Sequence, residues 1–139
     1  MIVLDASIIL KWFIQEPDSG LALKFKERYL AEEIIVAVPD LILYEIPNVL
    51  RYKGGISEQA IKSAVQDLLN LQLEIVTPAA PLIQEAIHLS FATRLSLYDC
   101  TYLALANELD GTLITADEKL WRQAKDAARV KLLSTYKIR

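Results

Sequence analysis

The chain has 139 residues, a formal net charge of −3 and hydrophobic residues at 53% of its positions, with a mean hydropathy of +0.27. This length predicts a single domain over residues 1–139, and the hydrophobic excess indicates a sheet that is buried on both faces. The acidic balance excludes recruitment of nucleic acid by a global positive field, so phosphate binding would need a local patch or a bound cation. No apolar run approaches the roughly 18 residues that a membrane span needs. Because Asp5 and Lys11 interrupt the N-terminal apolar stretch, we expect no secretory signal, no membrane contact and a cytoplasmic location.

Cys100 is the only cysteine and His88 is the only histidine. A single cysteine excludes an internal disulfide and a thiolate metal cluster, and a single histidine excludes a multi-histidine zinc site. Cys100 follows Asp99 in a predicted helix, where we expect a buried structural thiol. His88 lies in an amphipathic helix, where we expect a surface or half-buried position.

Strand-like and helix-like patterns alternate along the chain. Short apolar runs predict strands, and helices are delimited by signals such as Ser57 at a start and the Gly54-Gly55 pair at an end. Asp40 is the predicted N-cap of the third helix, and Pro47 is expected to bend that helix. In chain order the predicted elements are a strand at 2–5, helices at 7–14 and 18–30, a strand at 34–38, helices at 41–53 and 58–71, a strand at 73–76, helices at 81–92 and 96–109, a strand at 112–115, a helix at 117–127 and a strand at 130–133. This alternation predicts a three-layer α/β/α fold with a mostly parallel central sheet.

Four acidic residues lie where apolar segments meet turns or helix starts: Asp5, Glu45, Asp99 and Asp117. In a parallel α/β sheet, positions just beyond strand ends and on the first turns of flanking helices converge on one edge. Four carboxylates brought together without a cation would repel one another and raise one another's pKa. A divalent metal ion removes this conflict, so the pattern predicts hard-cation chemistry on a phosphate substrate.

Each acid also has a purely structural explanation. Asp5 can cap the helix that follows the first strand, and Asp99 fits a capping box that opens at Ser96. A second capping box, from Thr115 to Glu118, spans the fourth acid. The remaining acid can be a solvated helix residue. No single acid therefore establishes a site, and the prediction depends on their joint placement.

Polar residues accompany the acids. Ser7 and Thr115 each lie two residues from an Asp at a strand end, and Asn48 lies three residues after Glu45 on the same helix face. Such oxygen-rich surroundings suit Mg²⁺ or Mn²⁺, and a water bound to the ion is then the most accessible nucleophile. The predicted site consists of Asp5, Ser7, Glu45, Asn48, Asp99, Thr115 and Asp117, with the four acids as metal ligands.

Four segments of the chain resemble those of a PIN domain, and within that superfamily those of a VapC-type toxin ribonuclease. Residues 2–7 resemble the first strand with its acid and small hydroxyl residue, and residues 45–50 resemble the second acid with the following Asn and apolar pair. Residues 96–100 and 113–117 resemble the segments with the third and fourth acids. The chain departs from the commoner family pattern at Cys100, where Ala is usual, and at Pro47.

The resemblance implies a mechanism and a set of partners. In PIN domains the acids that match the four named above hold one or two Mg²⁺ or Mn²⁺ ions, and the hydroxyls that match Ser7 and Thr115 support the ligands and the attacking water. The implied activity is endoribonuclease cleavage that leaves a 3′-hydroxyl and a 5′-phosphate. The implied partners are an RNA substrate, a cognate antitoxin protein and a second copy of the chain in a homodimer. Candidates for contact with the RNA backbone are Lys11, Arg51, Lys53 and Arg94.

Other functional classes fit the sequence less well. A dehalogenase-type phosphatase typically needs a second Asp two residues after the first, where this chain has Ser7. A receiver-like phosphoacceptor domain would need an acidic pair beside Asp5, and a nucleotide-binding module would need a glycine-rich loop. A catalytically silent PIN-like module for RNA binding or assembly is the non-enzymatic alternative, although a decayed site would be expected to lose its acids first.

Overall fold

A parallel five-stranded sheet forms the centre of the computed structural model, which describes residues 1–136. Its strands are β1 (Ile2–Leu4), β2 (Val36–Pro39), β3 (Glu74–Val76), β4 (Thr112–Thr115) and β5 (Val130–Leu132), in the spatial order β3-β2-β1-β4-β5. Every pairing in this sheet is parallel. The chain builds one half of the sheet on each side of β1, which makes the carboxyl edge beside β1 a topological switch point. Residues 137–139, the end of the predicted domain, lie outside the described residues.

Helices connect the strands and complete three α/β/α layers. They are α1 (Ala6–Ile9), α2 (Ser19–Leu30), α3 (Ile42–Lys53), α4 (Glu58–Asn70), α5 (Ala80–Thr93), α6 (Leu97–Glu108) and α7 (Glu118–Ala124), with short 3₁₀ turns at Leu10–Trp12 and Leu133–Thr135. None of the helices within residues 1–136 combines the length and apolar character that crossing a bilayer would require.

The central strands are buried on both faces, as their continuous apolar sequences predict. Val3, Leu4, Leu113, Ile114 and residues 36–38 have no exposed surface. Helix α6 packs against β1, β2 and β4, and its positions 100–106 are buried without interruption. A helix that is apolar all round belongs in the interior. The predicted three-layer fold with a parallel sheet is therefore confirmed.

Most predicted boundaries are correct to within a few residues. Ser57 and Ser96 cap α4 and α6 by accepting hydrogen bonds from the backbone N–H groups of Ala60 and Asp99, both at 3.1 Å. Cys100 is fully buried, and His88 is exposed. The caps and burial patterns on which these predictions depended are local, which is why they could be read from the sequence.

Two predicted caps are wrong. Asp40 does not cap α3, because its N–H extends the β2–β3 pairing with a 2.9 Å bond to the carbonyl of Val76, and no side chain caps that helix. The predicted capping box from Thr115 to Glu118 is absent, because Asp117 itself caps α7 and accepts the N–H of Leu120 at 3.1 Å. β2 ends at Pro39, one residue beyond its predicted end, whereas β4 ends at Thr115 as predicted and α7 begins only after Asp117.

Candidate functional site

Asp5 lies at the carboxyl end of β1 and is the most deeply buried of the predicted acids, with 6% of its surface exposed. Its Oδ1 accepts hydrogen bonds from the hydroxyl of Ser7 at 2.5 Å and the N–H of Ile8 at 3.3 Å, and its Oδ2 accepts one from the hydroxyl of Thr115 at 2.5 Å. Burial raises the pKa of Asp5 to about 7, and the charge of Asp99 adds to the increase, while the three hydrogen bonds oppose it. Asp5 is therefore both an N-cap for α1 and a carboxyl group that titrates near neutrality.

The two hydroxyls that contact Asp5 join the ends of β1 and β4. Ser7 Oγ accepts the N–H of Ala116 at 2.8 Å, and Thr115 Oγ1 accepts the N–H of Asp117 at 3.0 Å. Each hydroxyl has one proton, and both protons point to Asp5. The 3.4 Å separation between the two hydroxyl oxygens is thus a contact rather than a hydrogen bond. This network fixes both oxygens of Asp5 and the backbone at the fourth acid.

Glu45 lies half-buried in the first turn of α3 and is hydrogen bonded to a residue that the sequence did not single out. The hydroxyl of Tyr102 in α6 donates a 2.6 Å bond to Oε1 of Glu45. Burial raises the pKa of Glu45, the Tyr102 bond lowers it, and the charge of Asp99 raises it. Burial and the carboxylates of Glu45, Asp5 and Asp99 raise the pKa of Tyr102, so its phenol stays protonated and acts as a donor. A sequence signal for Tyr102 did exist, since it lies three residues after Asp99 and so on the same helix face.

Asp99 interacts electrostatically with each of the other three acids. It is half-buried in the first turn of α6. Burial raises the pKa of Asp99 most, and the negative charge of Asp117 raises it further, while the hydrogen bond with Ser96 and the positive charge of Lys119 lower it. Asp117 is exposed at the start of α7. The negative charge of Asp99 also raises the pKa of Asp5 and of Glu45. The four acids therefore interact electrostatically through Asp99.

Sheet topology explains why acids so distant in sequence interact. Asp5 directly follows β1, and Asp117 follows the neighbouring parallel strand β4. Helix α6 leads into β4, so it runs in the opposite direction and places its N-terminal turn, with Asp99, at the carboxyl edge of the sheet. Helix α3 begins after β2 and places Glu45 at the same edge. The predicted convergence of the acids at one edge follows from this connectivity.

The donors at this edge fit a hard divalent cation. All are oxygens, and burial and mutual repulsion hold the pKa of three of the carboxyls above the usual range, a strain that a bound cation would relieve. Within residues 1–136, no three Asp, Glu, His or Cys side chains are close enough together to hold an ion by themselves. Mg²⁺ commonly keeps several waters and takes one or two protein carboxylates, so this spacing is compatible with it.

An open groove of about 1060 Å³ begins at Glu45 and extends between α3 and α4. Asn48, the predicted amide of the site, is exposed on its wall beside Arg51. No hydrogen bond joins Asn48 to an acid within the described part of the chain. The tyrosines on the groove wall, Tyr44 and Tyr98, are 73% and 62% exposed. The structure thus places Asn48 next to the acids but in the groove rather than in their hydrogen-bond network.

The basic residues predicted near the acids separate into two groups. Lys11 and Lys53 both pair with Glu16, at 3.6 and 3.1 Å. Arg51 stacks on the ring of its neighbour Tyr52, with 5.4 Å from its Cζ to the ring centroid, and has no carboxylate partner among the described residues. Exposed Arg94 ends α5 in a left-handed conformation, with φ at 64°. Of the four predicted basic residues, Arg51 is therefore the one that lines the groove.

Comparison with known proteins identifies the family. Residues 2–126 match the sequence profile of the PIN domain. The chain belongs to the PIN domain family. As a PIN domain it is similar to Ribonuclease VapC3 of Pyrobaculum aerophilum, with 28% identity over 123 residues that cover 86% of this chain and 91% of that protein.

Solved structures share the architecture of this PIN domain at low sequence identity. VapC20 of Mycobacterium tuberculosis, a toxin that cleaves the sarcin-ricin loop, superposes with a TM-score of 0.70 and 17% identity and covers 88% of this chain and 94% of its own. A toxin–antitoxin complex from Klebsiella pneumoniae superposes with a TM-score of 0.72 and 17% sequence identity, and the match covers 99% of this chain and 100% of that one. VapBC2 of Rickettsia felis, bound to a DNA fragment from its promoter, superposes with a TM-score of 0.71 and 21% sequence identity. The match covers 95% of this chain and 98% of that one. These likenesses confirm the PIN fold.

Proposed function

We propose that this PIN domain is a metal-dependent endoribonuclease and the toxin of a toxin–antitoxin pair. The observation that carries the proposal is Asp5, buried at the switch point of the sheet with both of its carboxylate oxygens held at 2.5 Å by the hydroxyls of Ser7 and Thr115. The similarity to Ribonuclease VapC3 supports RNA as the substrate. The fold shared with toxin–antitoxin complexes supports a cognate antitoxin as the partner. A homodimer and a cytoplasmic location are proposed from the family resemblance.

The cation in this proposal is Mg²⁺ or Mn²⁺, and its ligands, directly or through water, are Asp5, Glu45, Asp99 and Asp117. When bound, the cation supplies acidity to a coordinated water and positive charge opposite the phosphate that is hydrolysed. Ser7 and Thr115 orient the two oxygens of Asp5 through their 2.5 Å hydrogen bonds. Because Asp5 is close to half-protonated at neutral pH, it must release this proton before it can act as a ligand.

The groove beside Glu45 is the proposed path of the RNA. Exposed tyrosines can stack on unpaired bases, and Tyr44 and Tyr98 supply two such surfaces next to the acids. Arg51 on the same wall can contact a phosphate, and Asn48 can donate to or accept from a base or ribose. This composition favours single-stranded RNA.

Cleavage of RNA by the purified protein tests the proposal. Single-stranded RNA incubated with the protein and Mn²⁺ should be cut to fragments with a 5′-phosphate and a 3′-hydroxyl, and EDTA should stop the reaction. Asp5→Asn should abolish cleavage. The proposal is wrong if cleavage needs no divalent cation, or if Asp5→Asn cuts RNA as wild type does. A reading frame for a small DNA-binding protein next to the gene would support the toxin–antitoxin role.

The spacing of the acids favours a second candidate, a catalytically silent PIN-like module that binds RNA or assembles with other proteins. Within residues 1–136 the acids do not form a closed ligand set, whereas the groove is open. Such a module would bind single-stranded RNA equally well with and without Mn²⁺ and would not cut it. Binding and cleavage measured on one RNA therefore distinguish the two functions.

A further inference from the structure

We propose that Tyr102 is a positioning residue for Glu45, holding Oε1 so that Oε2 faces the cation site. This inference rests on the proposed function. The geometry that supports it is a 2.6 Å hydrogen bond from the phenol hydroxyl to Glu45 Oε1, between residues 57 positions apart.

Tyr102 provides a fixed point for this bond. Its ring is 1% exposed within the buried face of α6, so its orientation is set by close packing in the core. Glu45 is only half-buried and has a more flexible side chain. Within the described chain, Tyr102 is the only side chain that is hydrogen bonded to Glu45, and no Lys or Arg pairs with it. The orientation of Glu45 therefore depends on Tyr102.

The same bond connects the two helices that carry the second and third acids. Tyr102 and Asp99 lie on one face of α6, and Glu45 lies on α3. Holding Glu45 against Tyr102 therefore sets its position relative to Asp99. Outer contacts that orient a ligand in this way typically contribute tenfold to a hundredfold to metal affinity.

A purely structural role for the hydroxyl would affect stability alone. Tyr29 provides the matched control, because its hydroxyl also donates its single proton, but to the backbone carbonyls of Leu71 and Gln72, which share it and each lie at 2.8 Å. These acceptors lie at the start of the segment before β3, away from the acids. Tyr→Phe at either position keeps the ring and removes only the hydroxyl.

The test is calorimetric titration of Mn²⁺ into the full chain, with the Mn²⁺ dependence of RNA cleavage as a second readout. Tyr102→Phe should weaken Mn²⁺ binding by about tenfold or more and raise by the same factor the Mn²⁺ concentration that gives half-maximal cleavage. Much of the rate should return at saturating Mn²⁺. Tyr29→Phe should leave Mn²⁺ affinity unchanged, even if it lowers the melting temperature as much as Tyr102→Phe does.

A double-mutant cycle shows whether Tyr102 acts through Glu45. In a Glu45→Ala background, Tyr102→Phe should produce little further loss of Mn²⁺ affinity, since the carboxylate through which Tyr102 would act is already absent. Wild-type affinity in Tyr102→Phe, or an equal loss in both backgrounds, would overturn the inference while leaving the proposed function intact. If wild type itself binds no Mn²⁺ and cuts no RNA, both proposals are wrong.

Discussion

The hydroxyl of Thr115 donates a 2.5 Å hydrogen bond to Oδ2 of Asp5, although the two residues are 110 positions apart. The bond forms because β1 and β4 are parallel neighbours in which Leu4 pairs with Ile114. The next residues, Asp5 just beyond β1 and Thr115 at the end of β4, therefore lie side by side. Both are buried, Thr115 completely, so the hydrogen bond compensates for the loss of water around the carboxylate.

Replacement of Thr115 by Val should weaken the site with little change in shape. Val has nearly the same volume but cannot donate to Asp5 or accept the N–H of Asp117. We expect Mn²⁺ affinity, measured calorimetrically, to fall by about tenfold to a hundredfold, and cleavage at limiting Mn²⁺ to fall with it. Thr115→Ser keeps the hydroxyl and should retain most of the affinity. Equal affinities in the Val and Ser variants would contradict this role.

Stability of the metal-free chain should fall as pH rises from about 4 to about 7. Between the ordinary value of 3.8 and its folded pKa of about 7, Asp5 holds in the folded state a proton that it releases on unfolding. The unfolded state thus binds fewer protons in this window, and the free energy of unfolding decreases with pH. The raised pKa values of Glu45 and Asp99 act in the same direction. The loss attributable to Asp5 has an upper bound of about 4 kcal/mol.

Urea denaturation in EDTA measures this dependence. Asp5→Asn removes the titrating group, so it should flatten the pH dependence and be more stable than wild type at about pH 8. Added Mn²⁺ should stabilise wild type more at about pH 8 than at about pH 5, because protons compete with the cation for the same carboxylates. A free energy of unfolding that is constant or rises over this range in wild type would show that Asp5 titrates normally.

Arg51→Ala should weaken RNA binding more than Lys53→Ala does. Arg51 lines the groove, whereas Lys53 is paired with Glu16 at 3.1 Å. Loss of one phosphate contact should also reduce the slope of log affinity against log salt concentration by about one. Fluorescence anisotropy with single-stranded RNA, in an Asp5→Asn background to prevent cleavage, measures both quantities. Equal effects of the two substitutions would exclude a specific contact by Arg51.

Gly111→Ala should destabilise the fold, whereas Gly20→Ala should not. A Cβ at position 111 would lie 2.8 Å from the backbone oxygen of Met1, at the point where β4 begins beside the N-terminus. Relief of such a clash requires a backbone shift, with an expected cost of about 1–3 kcal/mol. Position 20 has no atom within 4 Å of a built Cβ and lies in the first turn of α2, where Ala is the better helix former. Urea denaturation of both variants tests the contrast, and similar stabilities would contradict it.

The sequence alone was sufficient to predict the parallel sheet, the order of its elements and the edge of the sheet on which the acids lie. Buried parallel strands are continuous apolar runs, such as 36–38 and 113–114, and caps such as Ser57 and Ser96 act within three residues. These signals are local and so can be read without coordinates. The acids were recognisable because each follows a strand or opens a helix, and parallel topology brings such positions together.

The tertiary structure alone decided which side chains are in contact at that edge. The sequence did not show that Tyr102 donates to Glu45, that Lys11 and Lys53 share Glu16, or that Asp40 continues the strand pairing rather than capping α3. Contacts of this kind depend on the packing of segments that are distant in the chain and on the rotamers that this packing permits. Local sequence patterns determine the elements, but the arrangement of those elements determines which polar groups satisfy one another.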